Sequence, residues 1–170
     1  MLGGWGCARL RQVRTHGGGV RWLRPRRGRC RDRGCAATHV LLPDVCLARR
    51  VYVAVVIGEA LLSAGREGYR RAGERLGVPG ETVRDWRRRF RALAEVIAAH
   101  FLWWARVLDA CLDPPADQGS LVADALEAIG MCTRVASLVL PARPAWSWVS
   151  ALTAGGLLAI NTRSPWPMPE

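Results

Sequence analysis

GYRRAGERLGVPGETVRDWRRRF, residues 68–90, is the stretch on which the fold turns. Gly77 directly follows Leu76 and can take the left-handed conformation that closes a helix. Val78 is placed to plug the corner, and Pro79 can start a new helix without losing a needed N–H. Before the turn, the spacing predicts a helix over 66–76 with Tyr69, Ala72, Gly73 and Leu76 inward. Glycine costs ~1 kcal/mol relative to alanine inside a helix, so the small pair Ala72-Gly73 implies a close crossing that offsets it. After the turn, Val83, Trp86, Phe90, Leu93 and Ile97 recur at steps of three and four, one apolar stripe. The opposite face holds Glu81, Arg84, Asp85 and Arg88, with Arg87 and Arg91 on one flank and Arg89 on the other.

Two short helices, a tight turn and an arginine-rich second helix have the form of a helix-turn-helix unit whose second helix enters the major groove of DNA. Arginine suits guanine O6 and N7 or a phosphate. Glu81 and Asp85 can accept from a cytosine amine or orient the arginines. The DNA-binding residues expected here are Glu81, Thr82, Arg84, Asp85, Arg87, Arg88 and Arg91. A solvated face on an ordinary helix would carry the same charges. The LGVP turn, the small pair before it and the Val83/Trp86 spacing after it favour the helix-turn-helix.

The charge distribution agrees. The chain has 170 residues and a net charge of +11, and all 25 basic residues are Arg. Residues 1–50 carry 12 Arg against 2 acids, residues 51–110 carry 10 against 7, and residues 111–170 carry 3 against 5. GC-rich codons can explain the choice of arginine, but not where it clusters. A polyanion partner is expected for the first two thirds, with the last third held off it. No span of membrane length is expected: the longest apolar run, residues 145–160, is interrupted by Ser147, Ser150, Thr153 and Gly155-Gly156. The N-terminus lacks the apolar core of a signal peptide, so a cytoplasmic location is expected.

Residues 5–42 read as β. Arg9, Arg11 and Arg14 flank Leu10 and Val13, His16-Gly17-Gly18-Gly19 is a turn signal, and Val20 and Trp22 then alternate with Arg21. This predicts a hairpin with an apolar face and an arginine face. Arg24, Arg26, Arg27 and Arg29 are expected to grip phosphates. Cys30 and Cys35 form a C-x4-C knuckle, two of the four ligands that a tetrahedral zinc site needs. Cys7, His16 and His39 are the nearby candidates for the others. The site is incomplete on this reading, and the bland alternative leaves Cys30 and Cys35 as free thiols. His39 is expected to be packed or hydrogen-bonded in a strand over 37–42. Cys111 and Cys132 fall in apolar helical patterns and are expected to be buried.

The expected fold class is mainly α: a helix-turn-helix bundle preceded by a small β-hairpin, a degenerate zinc-ribbon-like element. Residues 1–47 form that element. Residues 48–112 form the helix-turn-helix domain, with a first helix over 48–64 and a second recognition helix that runs on as one long helix. Residues 113–119 are a linker, since Asp113-Pro114-Pro115-Ala116-Asp117 breaks any helix. Residues 120–160 form a C-terminal helical pair that begins at the N-cap Ser120 and ends in a helix over 146–160. Residues 161–170 are a flexible tail.

This order of parts resembles a group of short, uncharacterised helix-turn-helix proteins of high-GC bacteria. It is also similar to the zinc-ribbon plus helix-turn-helix N-terminal half of insertion-sequence transposases. The stretches that carry the resemblance are GWGCARLRQVR (4–14), RPRRGRC (24–30), THVLLP (38–43), VIGEALL (56–62) and RLGVPGETVRDWRRRF (75–90). The resemblance implies a further cysteine pair ahead of the GWG stretch. This chain begins almost on top of that stretch, so the zinc site is expected to be missing ligands, through a late start or through decay.

Catalysis is not expected. A transposase needs three spaced carboxylates holding metal ions. Asp109, Asp113, Asp117 and Asp124 cluster instead around the linker and read as loop and helix-end residues. DNA is the expected partner and zinc the one cofactor to test for. The alternatives are a protein-interaction or dimerisation module, with Trp103, Trp104, Trp146 and Trp148 as a homodimer surface, and the N-terminal fragment of a larger transposase.

Overall fold

The computed structural model describes residues 2–32, 34–35 and 37–159. Five short strands precede six helices among these residues. The strands are β1 (Leu2–Cys7), β2 (Arg11–Arg14), β3 (Val20–Leu23), β4 (Arg26–Cys30) and β5 (Thr38–Leu41). The helices are α1 (Ala54–Arg66), α2 (Tyr69–Leu76), α3 (Gly80–Ala92), α4 (Ala94–Leu108), α5 (Leu121–Val139) and α6 (Ala145–Leu152). About half of the chain is helical, so the class is mixed α and β rather than mainly α.

The β region is larger than the expected hairpin and third short strand because β1 finds a distant partner. It pairs antiparallel with β4, Leu2 opposite Cys30, and β4 pairs in turn with β5. The β2–β3 hairpin is a separate two-stranded sheet inserted between β1 and β4. Ala8 N–H donates to Pro25 O at 2.7 Å and closes the base of the insertion. The hairpin's faces are not those expected. Val13 is fully buried and Leu23 packs against the core, whereas Val20 and Trp22 are exposed. Successive strand residues face opposite ways, so a core anchored through Val13 and Leu23 puts Val20 and Trp22 in solvent.

The first helix starts at Ala54, not at residue 48. Residues 48–53 are spent on non-local pairing: Arg14 N–H donates to Val51 O (2.6 Å) and Val53 N–H to Arg14 O (3.0 Å). Arg49 takes a left-handed φ of 57°, which no helix accommodates. Val51 is exposed. From Ala54 the pattern holds, with Val56, Ile57, Ala60, Leu61 and Ala64 buried. Gly58 lies under the indole of Trp146, which locks α6 onto α1.

The helix that follows the turn does not run on as one long helix. Leu93 (φ −115°, ψ 6°) separates α3 from α4. Its N–H donates to Phe90 O three residues back, tightening the last turn, while its carbonyl accepts the first bond of α4 from Ile97 (2.8 Å). Neither Gly nor Pro marks the break. It lets the buried series pass through Phe90, Ala94, Ile97 and Phe101, with Leu93 only partly buried.

One apolar cluster runs from Val13 through all six helices to Leu158. Trp146 and Trp148 are buried in the folded chain rather than presented as a surface, and Trp103 and Trp104 stack edge-on at 4.8 Å. α5 begins as expected: Ser120 Oγ accepts from Ala123 N–H at 3.2 Å, an N-cap. α6 is shorter than expected and ends at Leu152; Ile160 and residues 161–170 lie outside the described residues. Asp109, Asp117 and Asp124 each accept a backbone N–H, from Cys111, Gly119 and Gln118. Cys132 is buried, and burial pushes its thiol up to about 12. Cys111 is exposed instead, because α4 stops at Leu108 before reaching it. No helix among the described residues is long and apolar enough to cross a membrane.

His100 is the buried titratable group of α4. Its Nε2 lies 3.1 Å from Leu152 O, and its ring stands edge-on to Phe101. Burial lowers its pKa below 6.5, and the Leu152 carbonyl only partly opposes this. The unfolded chain therefore binds the proton more readily than the fold does. This contribution to stability is complete above pH 6.5 and is lost as pH falls below it. The melting temperature of the wild type is expected to fall more over this window than that of His100→Gln. Parallel curves for the two proteins would contradict the assignment.

Candidate nucleic-acid interface

α2 and α3 are joined by three residues. Gly77 sits at φ 69°, ψ 34°, the left-handed conformation that glycine adopts without strain. Val78 N–H donates to Gly73 O at 2.9 Å, and its side chain is buried in the corner. Pro79 precedes α3 as its N-cap, and its carbonyl accepts from Thr82 and Val83. The small residue on α2 is required where it stands. A Cβ at Gly73 would lie 2.5 Å from Val78 O and 3.2 Å from Gly80 N and Cα.

α3 is amphipathic about this contact. Val83, Trp86 and Phe90 are buried, and Trp86 packs edge-on against Tyr52 at 5.3 Å. Glu81, Arg84, Arg88 and Arg91 are exposed; Thr82, Asp85, Arg87 and Arg89 are half-buried. Arg84 pairs with Glu81, and Arg88 with Asp85 at 3.3 Å. Such exposed pairs contribute about 0–1 kcal/mol, so they pre-orient the guanidiniums without holding them from a stronger acceptor. Arg84, Arg87, Arg88 and Arg91 line one cleft with Leu61 of α1 and Val122 of α5. Arg89 turns the other way, toward Arg50. Burial lowers the pKa of Arg50, and the nearby Arg89 charge lowers it further. Arg50 donates to Leu158 O.

The tip of the β2–β3 hairpin seats on the α2–α3 turn. A Cβ at Gly77 would lie 2.8 Å from Gly18 N and 3.1 Å from Gly17 C. His16 Nε2 reaches Glu59 of α1 at 3.3 Å.

The expected phosphate arginines do not form one row. Strand alternation puts Arg26 on one face of the sheet and Arg27 and Arg29 on the other. Arg27 donates to Thr38 Oγ1 at 3.0 Å, and Arg29 lies 4.6 Å from the Trp5 ring centre. Arg24 is exposed between β3 and β4. Arg31 and Trp5 share the face of Arg29 and belong with this set. Alternation along RRGRCR would have found Arg31, and the unexpected β1 pairing is what brings in Trp5.

Cys30 ends β4, and exposed Cys35 lies in the loop beyond it. Cys35 N–H donates to Asp32 O, and the Asp32 carboxylate accepts from Gly34 N–H. No group of three or more His, Cys, Asp or Glu that could hold a metal ion gathers among the described residues. Two thiols alone do not fit a tetrahedral structural zinc site. His39, expected to be packed or hydrogen-bonded in a strand, lies on β5 and is exposed.

A family model described as "Domain of unknown function (DUF6431)" matches residues 6–90. The chain belongs to the DUF6431 family. The DUF6431 region takes in the hairpin, most of the three-stranded sheet, α1, α2 and α3 as far as Phe90; α4, α5 and α6 lie beyond it. No curated protein and no solved structure matches the chain.

Proposed function

We propose that this DUF6431 protein is a sequence-preferring DNA-binding protein, regulator-like or transposase-derived, without catalytic activity of its own. In this reading α2 and α3 form a helix-turn-helix and α3 is the recognition helix. The observation that carries it is the division of α3. Val83, Trp86 and Phe90 face the core, while Arg84 and Arg88 project from the opposite side of a helix braced by the Gly73 and Gly77 contacts. Glu81, Thr82, Arg84, Asp85 and Arg88 meet base edges, and Arg87 and Arg91 meet the flanking backbone. Arg24, Arg26, Arg27 and Arg29 supply sequence-independent contacts. The net negative charge of residues 111–170 favours keeping most of that third off the DNA, although the start of α5 borders the arginine cleft at Val122, and the cytoplasm is the matching location.

Selection from random duplexes followed by mobility shift tests this reading. A preferred site is expected, with affinity falling steeply as salt rises. Arg84→Ala and Arg88→Ala are each expected to cost about 1–3 kcal/mol and to relax preference at one or two base pairs. Arg26→Ala is expected to weaken all sequences alike. Enrichment of no sequence at any salt, or identical behaviour of the two sets of variants, would overturn it.

A second reading, a dimerisation module, draws on the end of α5. Leu138 is 85% exposed there, with Val139 and Leu140 exposed beside it. Sedimentation at two concentrations separates the readings.

A further inference from the structure

We propose that the Trp5 face of the β1–β4–β5 sheet binds an unpaired DNA strand. A base stacks on Trp5, and Arg27, Arg29 and Arg31 hold the flanking phosphates. The register assembles this face: Gly3 lies opposite Arg29, Arg29 opposite Thr38, and Arg27 opposite Val40. Arg29 stands 4.6 Å from the Trp5 ring centre, which puts the indole and the guanidinium side by side. Arg31 crosses over Gly3, where a Cβ would lie 2.9 Å from its Nε. Three cations therefore recur at every second residue along β4 and just past its end, with an aromatic ring beside the middle one.

The face is open and its charge is uncompensated. Trp5 is 51% and Val40 53% exposed, so the helices do not cover it. The three strands contain no acidic residue, and Asp32, in the adjoining loop, is bound to Gly34 N–H at 2.9 Å. Charge alone would fit a duplex, whose bases are stacked on one another and leave an indole nothing to pair with. An exposed ring among cations is the combination that holds single strands, through base stacking and phosphate contact together. The choice of DNA over RNA rests on the α3 reading; the stacking and the charge do not.

Anisotropy of the full chain with a labelled oligothymidylate of about a dozen nucleotides, within the range one such platform covers, tests the proposal. Trp5→Ala is expected to weaken binding about tenfold, with most of it kept in Trp5→Phe. Arg29→Ala and Arg31→Ala are expected to weaken it and to flatten its salt dependence. Trp22→Ala, which removes a tryptophan equally exposed on the other sheet, is expected to change nothing. No binding by the wild type at low salt, full binding by Trp5→Ala, or tighter binding of oligouridylate would each overturn the proposal. Arg84→Ala is expected to spare the single strand while weakening the duplex. An unaffected duplex would remove the α3 reading and leave the stacking face standing.

Discussion

Replacing Gly58 by alanine is expected to destabilise the protein by about 3 kcal/mol, the upper part of the usual range for overpacking. The new Cβ would lie 1.8 Å from Trp146 Cε2, 2.0 Å from Cδ2 and 2.3 Å from Nε1. A flexible side chain could swing away from such a contact. The Trp146 indole is 7% exposed and boxed in between α1 and the core, so either the ring or α6 has to move. Alanine is the better helix former by about 1 kcal/mol, which is too little to reverse the sign. Denaturant unfolding followed by far-ultraviolet circular dichroism measures the loss. Trp146→Ala alone is expected to cost about 3–5 kcal/mol through the cavity it leaves. In the double variant the methyl at residue 58 fills part of that cavity, so the two losses add to less than their sum. Strict additivity, or a wild-type midpoint for Gly58→Ala, would show that the two residues do not share one space.

Gly73→Ala is expected to cost about 2 kcal/mol after its gain in helix propensity, because what it meets is backbone. Val78 O and the Gly80 backbone cannot rotate out of the way, so α2 must lift off α3. Gly65 provides the control. It too is helical, in α1, but a Cβ there meets nothing within 4 Å. Gly65→Ala is expected to stabilise by up to about 1 kcal/mol. Opposite signs for the two substitutions are the result to look for; a stabilised Gly73→Ala would mean that α2 and α3 do not cross closely at this point. If α3 reads DNA, Gly73→Ala also loses duplex affinity beyond what its stability loss explains, since it moves the helix and not a contact.

The parts of the fold written in local chemistry were legible in the sequence. Gly77 and Pro79 mark the turn through their own backbone preferences, and Ser120 marks the start of α5 through its side chain. The stripe Val83, Trp86, Phe90 needed only the helical period. What was not legible depends on partners far along the chain. β1 is a strand because β4 receives it, and residues 48–53 are extended because Arg14 pairs with Val51 and Val53. The break at Leu93 carries no Gly or Pro, so packing sets it and nothing local announces it. Cys111 is exposed for a related reason: the apolar pattern outlasts the helix. In the candidate interface, the outward arginines of α3 followed from the period. The split of the N-terminal arginines between two sheet faces did not, since it needs the register.

The seat of the hairpin on Gly77 bears on how this region can be altered. A β-turn rich in glycine is ordinarily where a chain accepts an inserted tag or an extra residue at little cost. Here Gly17 and Gly18 are packed against the turn that orients α3, and His16 reaches α1. Lengthening that tip would push on the angle between two helices rather than extend a free loop. The hairpin is thus a gauge for the helix pair, and its length and the α2–α3 geometry can change only together.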